Sequence, residues 1–238
     1  IKAMNFSEYV QYDGLGLAAL VKNKEIHASE LLKIALERNE KVNPKLNAII
    51  IPMYEQAKQR AQQERHVAFA GVPFLVKDLF QEYQGVPTSY GSNSLKNFNY
   101  TPDFNAEIVN RWENAGIITF GRTNTPEFGI KGITEPEAWG ACRNPWNLKH
   151  NSGGSSGGSA SAVAAGIVPI AGAGDGGGGR GVVLRLISSP GPVLRLLLSY
   201  VPGSTSTFGT VHSISAENEK FKGYYNSILQ IETLSALF

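Results

Sequence analysis

The sequence predicts an α/β fold, and three observations lead to it. A helical pattern over residues 106–115 is closed by Gly116 and followed at once by the apolar run 117–121. The same order of helix, glycine and strand returns over residues 160–171, and this alternation is how α/β packing is written in a chain. The chain has 238 residues, of which 42% are hydrophobic, enough to bury a substantial core in one domain spanning 1–238.

Taken in order, the first element expected is a short helix after Asp13, carrying Leu17, Leu20 and Val21. Ser29 is a good N-cap for a second helix through Leu31, Leu32, Ala35 and Leu36, which Asn43 and Pro44 should stop. Residues 46–51 read as a strand ended by Pro52, and 53–65 as a polar helix with Ala57 and Ala61 on its inner face. In the apolar strand 74–80 a lysine, Lys77, interrupts the pattern and is followed by Asp78. The residues alone leave two readings of Lys77 open. It points to solvent from one face, or it is desolvated, in which case burial favours the neutral amine and a proton acceptor results. Asp78 is expected to be structural. Residues 123–151, rich in Pro, Gly, Trp and Asn, read as a long loop whose Phe128, Trp139 and Trp146 either line a substrate pocket or pack beneath the loop.

Residues 153–181 hold 12 of the 26 glycines. They are not a flexible linker, because the two glycine clusters enclose a helix-forming stretch and the apolar run 167–171. Consecutive glycines can turn several N–H groups toward one point and so hold an anion or a developing oxyanion. With Ser155 and Ser156 in the first cluster, the pattern suggests acyl transfer. Three sharper motifs compete. Residues 154–158 fit G-x-S-x-G, which requires a buried strand immediately before it, and residues 147–152 are nearly all polar. Gly172, Gly174 and Gly177 fit a dinucleotide fingerprint, but Gly178 and Gly179 oppose the helix that must follow, and no acidic residue occurs between Asp175 and Glu217. A phosphate-binding P-loop fails because Ser159 stands where its lysine should follow Gly158.

The stretch GGSSGGSASAVAAGIVPIAGAGDGGG resembles the signature of the amidase signature family, as do GVPFLVKDL around Lys77 and NPWN at 144–147. The resemblance covers residues 6–178. It implies a mixed sheet flanked by helices, and an amide hydrolase that works through a lysine and two serines without cofactor or metal. Carried onto this chain, Lys77 is the base and Ser155 the relay. Ser156 and Asp175 support the loop, and the N–H groups of Gly176, Gly177 and Gly178 hold the oxyanion. The substrate is a small-molecule amide.

The nucleophilic serine of the family falls at position 179, where this sequence has Gly179. Glycine carries no nucleophile, so the resemblance implies a chain inactive as written. Residues 179–238 diverge, and a reading-frame excursion or sequence error over about 179–200 is expected, since the match fails abruptly inside a motif while Val201, Pro202 and Gly203 suggest a resumption. Translation of the gene's other two frames decides this, because one must yield Ser-Ile-Arg. Residues 217–238 are expected to be helical, with Phe221, Tyr225, Ile228, Leu229 and Ile231 apolar. Family members are considerably longer, so the fold is expected to be incomplete at its C-terminus, with an uncovered sheet edge.

The formal net charge of +2 forces neither a nucleic-acid nor a membrane partner. Arg185, Arg195 and the stretch 188–192 interrupt the apolar run 182–198 before it reaches the roughly 20 residues a membrane span needs. Cys142 is the only cysteine, which excludes an internal disulfide, and the four histidines lack metal-ligand spacing. No secretory leader pattern opens the sequence, so a cytoplasmic protein is expected, and Met4 close behind Ile1 suggests that the true start lies within the sequence given. A homo-oligomer is compatible with these features. Two other functions remain beside amide hydrolysis: the A-type subunit of an amidotransferase, working with partner proteins, and a non-catalytic nucleotide or phosphate binder using residues 172–177.

Overall fold

The computed structural model describes residues 3–174. Asp175, Gly176, Gly177, Gly178 and Gly179, the divergent stretch 179–200 and the helix expected at 217–238 lie outside the described residues.

Asn5 opens α1 (Phe6–Tyr9) with a reciprocal capping box to Glu8. Asp13 caps α2 (Gly14–Lys22), its carboxylate accepting from Gly16 N at 2.7 Å. The long helix α3 (Ala28–Leu46) corrects the sequence reading at both ends. Ser29 lies inside it rather than capping it, and Pro44 is accommodated in the last turn. The missing N–H of Pro44 would have served the carbonyl of Glu40, an exposed residue, so little is lost. The helix instead ends at Asn47, in the left-handed conformation, while the Asn43 amide bonds Ala48 N, Ile49 N and Ile49 O.

Because Leu46 belongs to α3, β1 is shorter than expected, Ile49–Pro52. It leads to α4 (Tyr54–Arg60), and Ala57 and Ala61 are both buried as their spacing predicts. All five residues of β2 (Pro73–Lys77) are buried. The short α5 (Asn93–Phe98) buries none of its residues. Next, α6 (Glu107–Ala115) buries Val109 and Trp112 and is closed by Gly116 at φ +94°, a conformation that favours glycine. The fully buried β3 (Ile118–Thr123) follows immediately.

These strands form a mixed sheet in the order β1-β3-β2, with β1 antiparallel and β2 parallel to β3. Lys77 is in register with Thr123 at its end. A polar hairpin of β4 (Arg143–Asn144) and β5 (Asn147–Asn151) interrupts the expected long loop. It precedes α7 (Gly157–Ala164).

The strand expected at 167–171 does not form. Ile167, Val168 and Ala171 are buried as a strand's residues would be, but Pro169 has no N–H for a ladder. The segment meets the sheet edge at a lone bridge residue, Gly172, whose N donates to Leu75 O at 2.8 Å.

Two apolar clusters flank the sheet. Leu75 and Phe120 belong to one, with Leu32, Ala35, Ala162 and Ile167. Phe74 and Val76 belong to the other, with Tyr9, Leu17, Leu31 and Trp112. Each such fully buried large side chain contributes about 1.5–3 kcal/mol. Alternation along β2 puts Lys77 on the face of Leu75, the face on which α7 packs. No helix among the described residues is long and apolar enough to cross a membrane.

Cys142 is fully buried, and that burial pushes its thiol up to about 11. At pH 8 the native protein should therefore resist iodoacetamide and react only on unfolding. Stoichiometric labelling within minutes under native conditions, read by mass spectrometry, would contradict this packing.

Candidate active site

The end of β2 delivers Lys77 into the interior with 1% of its surface exposed. Burial of an amine is tolerated only where its hydrogen bonds are met. Its Nζ lies 2.7 Å from Ser155 Oγ and donates to Gly174 O at 2.6 Å. Ser155 stands at the N-terminal approach to α7, itself 3% exposed. The strand end, the loop before α7 and the segment after it therefore converge on one amine.

Gly174 O is the centre of this group. Ser156 Oγ donates to it at 2.8 Å and accepts from Gly174 N at 3.0 Å, while Ser155 Oγ reaches it at 3.2 Å. Behind these contacts, Gln81 Oε1 accepts from Lys77 N at 2.6 Å and Gln81 Nε2 donates to Ala173 O at 3.3 Å. Thr125 Oγ1 donates to Ser155 O at 2.9 Å. Thr123 Oγ1 lies 2.6 Å from Ser159 Oγ, which donates to Gly172 O at 2.7 Å.

Asp78 turns away from this group and is fully buried. It accepts from Thr88 Oγ1 at 2.7 Å, from Ser89 N at 3.1 Å and from the Ser89 hydroxyl. Arg122 Nε approaches its Oδ1 at 3.9 Å, and Arg122 NH1 donates to Gln81 O at 2.9 Å and to Lys77 O at 3.4 Å. Burial pushes the Asp78 carboxyl up, against the pull of Arg122 and the hydrogen bonds of Ser89 and Thr88. Burial likewise pushes the Arg122 guanidinium down, against Asp78 and Glu82. Together they make a buried ion pair beneath the backbone of Lys77.

The structure thus brings Lys77, Ser155 and Ser156 together, and Asp78 supports them from behind. Several participants had not been singled out. Arg122 lies one residue beyond the apolar run read at 117–121, and only its inclusion in β3 reveals a cation within a buried strand. Gln81, Thr125 and the carbonyl of Gly174 have no such mark in the sequence. Of the three loop aromatics, Trp139 donates from Nε1 to Ser89 Oγ at 2.8 Å and carries Lys96 Nζ 4.0 Å above its ring, whereas Phe128 and Trp146 are half exposed.

The competing motifs fare differently. A strand does precede the G-x-S-x-G match, but every residue of β5 is exposed, so it is not the buried strand that a nucleophile elbow needs. In the dinucleotide match, Gly172 N is taken by Leu75 O and Gly174 N by Ser156 Oγ. Neither N–H is left for a phosphate.

The family model described as Amidase matches residues 30–179, well over half of the chain. The chain belongs to the amidase family. The match of this amidase-family chain ends at Gly179. It is 45% identical over 159 residues to the 6-aminohexanoate-cyclic-dimer hydrolase of Paenarthrobacter ureafaciens, covering 67% of this chain and 32% of that protein. It is 41% identical over 169 residues to the A subunit of the glutamyl-tRNA(Gln) amidotransferase of Pseudomonas entomophila, covering 68% and 34%. The solved structure of 6-aminohexanoate cyclic dimer hydrolase complexed with substrate superposes with a TM-score of 0.66 at 44% identity, over 68% of this chain and 33% of that one. The amidase-family chain thus spans about a third of the length of these relatives.

Asp78→Asn should destabilise the fold by about 3–5 kcal/mol in urea denaturation, because it removes the larger of the two carboxylate attractions on the buried Arg122 guanidinium. A change below about 1 kcal/mol would show that the pair holds nothing together.

Proposed function

We propose that this chain carries the proton-relay part of an amide hydrolase site, with Lys77 as base and Ser155 as relay. The observation that carries the reading is the 2.7 Å contact between two buried side chains 78 residues apart in sequence. An amine and a hydroxyl in that relation form a serine-lysine variant of triad chemistry, with no histidine required.

In the complete reaction a serine hydroxyl at position 179 adds to the amide carbonyl carbon. As the new C–O bond forms, the serine proton passes to Ser155 Oγ and the Ser155 proton passes to the neutral amine of Lys77. The N–H groups of Gly176, Gly177 and Gly178 take the oxyanion, with Asp175 and Ser156 supporting their loop. Collapse breaks the C–N bond, and the proton returns through Ser155 to the leaving nitrogen, which departs as ammonia or an amine. Water then adds to the ester, and the acid is released with the nucleophile restored. Each transfer needs a group that donates and accepts at once, as a hydroxyl does.

Gly179 supplies no hydroxyl, so the chain as written has the relay without the nucleophile. The amidotransferase relative supports a second reading, a subunit that works only with partner proteins. Stoichiometric co-purification with unrelated chains would favour it.

Ammonia release from hexanamide should be at background for the chain itself, should appear in Gly179→Ser, and should disappear again when Lys77→Met is added. Wild-type turnover that depends on Lys77 would overturn the assignment of position 179. No turnover in Gly179→Ser would remove the claim that this is the one missing group.

A further inference from the structure

With glycine at position 179, the hydroxyl in direct contact with the buried amine is that of Ser155, 2.7 Å from Lys77 Nζ. A serine hydroxyl bonded directly to a lysine amine is itself a pair of nucleophile and base. Ser155 also has donors for the charge that its own attack would create. It stands one residue before the N-cap of α7. Among the described residues the N–H groups of Ser156 and Gly157 have no acceptor, whereas the next, Gly158 N, is taken by Asn124 O at 3.0 Å. Unpaired N–H groups at a helix N-terminus favour an anion. The N–H of the residue after a nucleophilic serine is one of the donors that hydrolases use for an oxyanion, and covalent geometry keeps Ser156 N beside Ser155 Oγ.

Toward the 127–133 loop, Ser155 is covered by a glycine rather than by a side chain. A β-carbon on Gly129 would stand 3.7 Å from both Oγ and Cβ of Ser155. Gly129 carries none, and it is half-buried between the exposed Phe128 and Ile130. The hydroxyl therefore lies one glycine below the surface.

We propose that Ser155 is a nucleophile in its own right, and that the chain as written hydrolyses small activated esters through a Lys77–Ser155 dyad. The inference rests on the reading of Lys77 as the base. Ser155 Oγ adds to the ester carbonyl carbon while its proton passes to the neutral amine of Lys77, and the N–H groups of Ser156 and Gly157 hold the oxyanion. The C–O bond to the leaving group breaks, and an aryloxide departs with the electron pair, so no proton has to reach it. Lys77 returns its proton to solvent and takes one from a water that adds to the acyl carbon. It gives that proton to Ser155 Oγ as the bond from Ser155 to the acyl group breaks. The products are a carboxylic acid and the phenol. Amides are not turned over by this route, because a leaving nitrogen must be protonated and the hydroxyl that would carry the proton from Lys77 is the one that has been acylated.

The full chain with 4-nitrophenyl acetate tests this. Nitrophenolate release should be about a hundredfold faster than in Ser155→Ala or Lys77→Met, the low end of what a general base contributes. Mass spectrometry of the quenched wild type should place an acetyl group on Ser155. Ser155→Cys, which keeps a nucleophile in contact with Lys77, should be acetylated at the same position. Equal release in Ser155→Ala, undiminished release in Lys77→Met, or acetyl groups on surface lysines alone would each overturn the dyad. Release lost in Ser155→Ala along with melting temperature, and no acetyl group at position 155 in Ser155→Cys, would assign the loss to folding and overturn it as well. Hexanamide hydrolysis by Gly179→Ser without acetylation of Ser155 in the chain as written leaves the relay standing and removes the dyad. Acetylation of Ser155 without hexanamide hydrolysis by Gly179→Ser does the reverse.

Discussion

A lysine amine with 1% of its surface exposed has to find its hydrogen bonds inside the protein. That requirement adds a polar tie between parts of the chain that the apolar core already brings together. Ser155 and Gly174 lie 78 and 97 residues away from Lys77 and supply its acceptors. Gln81 fixes the backbone of the lysine to the same incoming segment at Ala173. Parallel pairing of β2 with β3 aligns the end of one strand with the end of the other, so Thr123 reaches Ser159 in α7 and Thr125 reaches the carbonyl of Ser155. Elements far apart in the chain are thereby held in one register around a small polar interior.

Beneath this interior lies a second buried polar group with a different task. Arg122 and Asp78 sit under the backbone of Lys77, and Arg122 donates to carbonyls of the turn that follows β2. A buried ion pair contributes little net stability compared with apolar packing, but breaking it leaves an uncompensated charge. Its position suits a geometric role. The guanidinium holds Lys77 O and Gln81 O, and so holds the peptide that presents the amine and the amide that clamps it.

Much of this was legible in the sequence where the signal was local. Asp13 capped its helix, Ala57 and Ala61 marked an inner face, and Gly116 separated a helix from a strand, because each depends on a few adjacent residues. The reading went astray where distant contacts decided the outcome. Pro44 did not end α3, since Asn43 and Asn47 built a stop three residues later. Residues 167–171 were correctly read as buried, but Pro169 and a bridge confined to Gly172 made them an irregular crossing rather than a strand. The exposed hairpin of β4 and β5 had no apolar alternation to reveal it. At the site, a cation in an apolar strand drew attention to Lys77, and the family resemblance paired it with Ser155. The carbonyl of Gly174 could not have been read from any side chain.

Two adjacent serines share that carbonyl, and geometry gives them different capacities. Ser156 both donates to Gly174 O and accepts from Gly174 N, closing a small ring in which its proton is committed. Ser155 meets the same oxygen at 3.2 Å, the longest of the three donor contacts there. A carbonyl oxygen has two lone pairs, so three donors compete and the most distant is held least. In the proposed relay, the hydroxyl that must exchange its proton is the one whose proton is weakly bound to the scaffold, and its neighbour, firmly bound at both ends, keeps the loop still. Lys77 and Ser156 occupy the two stronger positions on that oxygen, so their grip on it is what leaves the hydroxyl of Ser155 free to turn toward the amine.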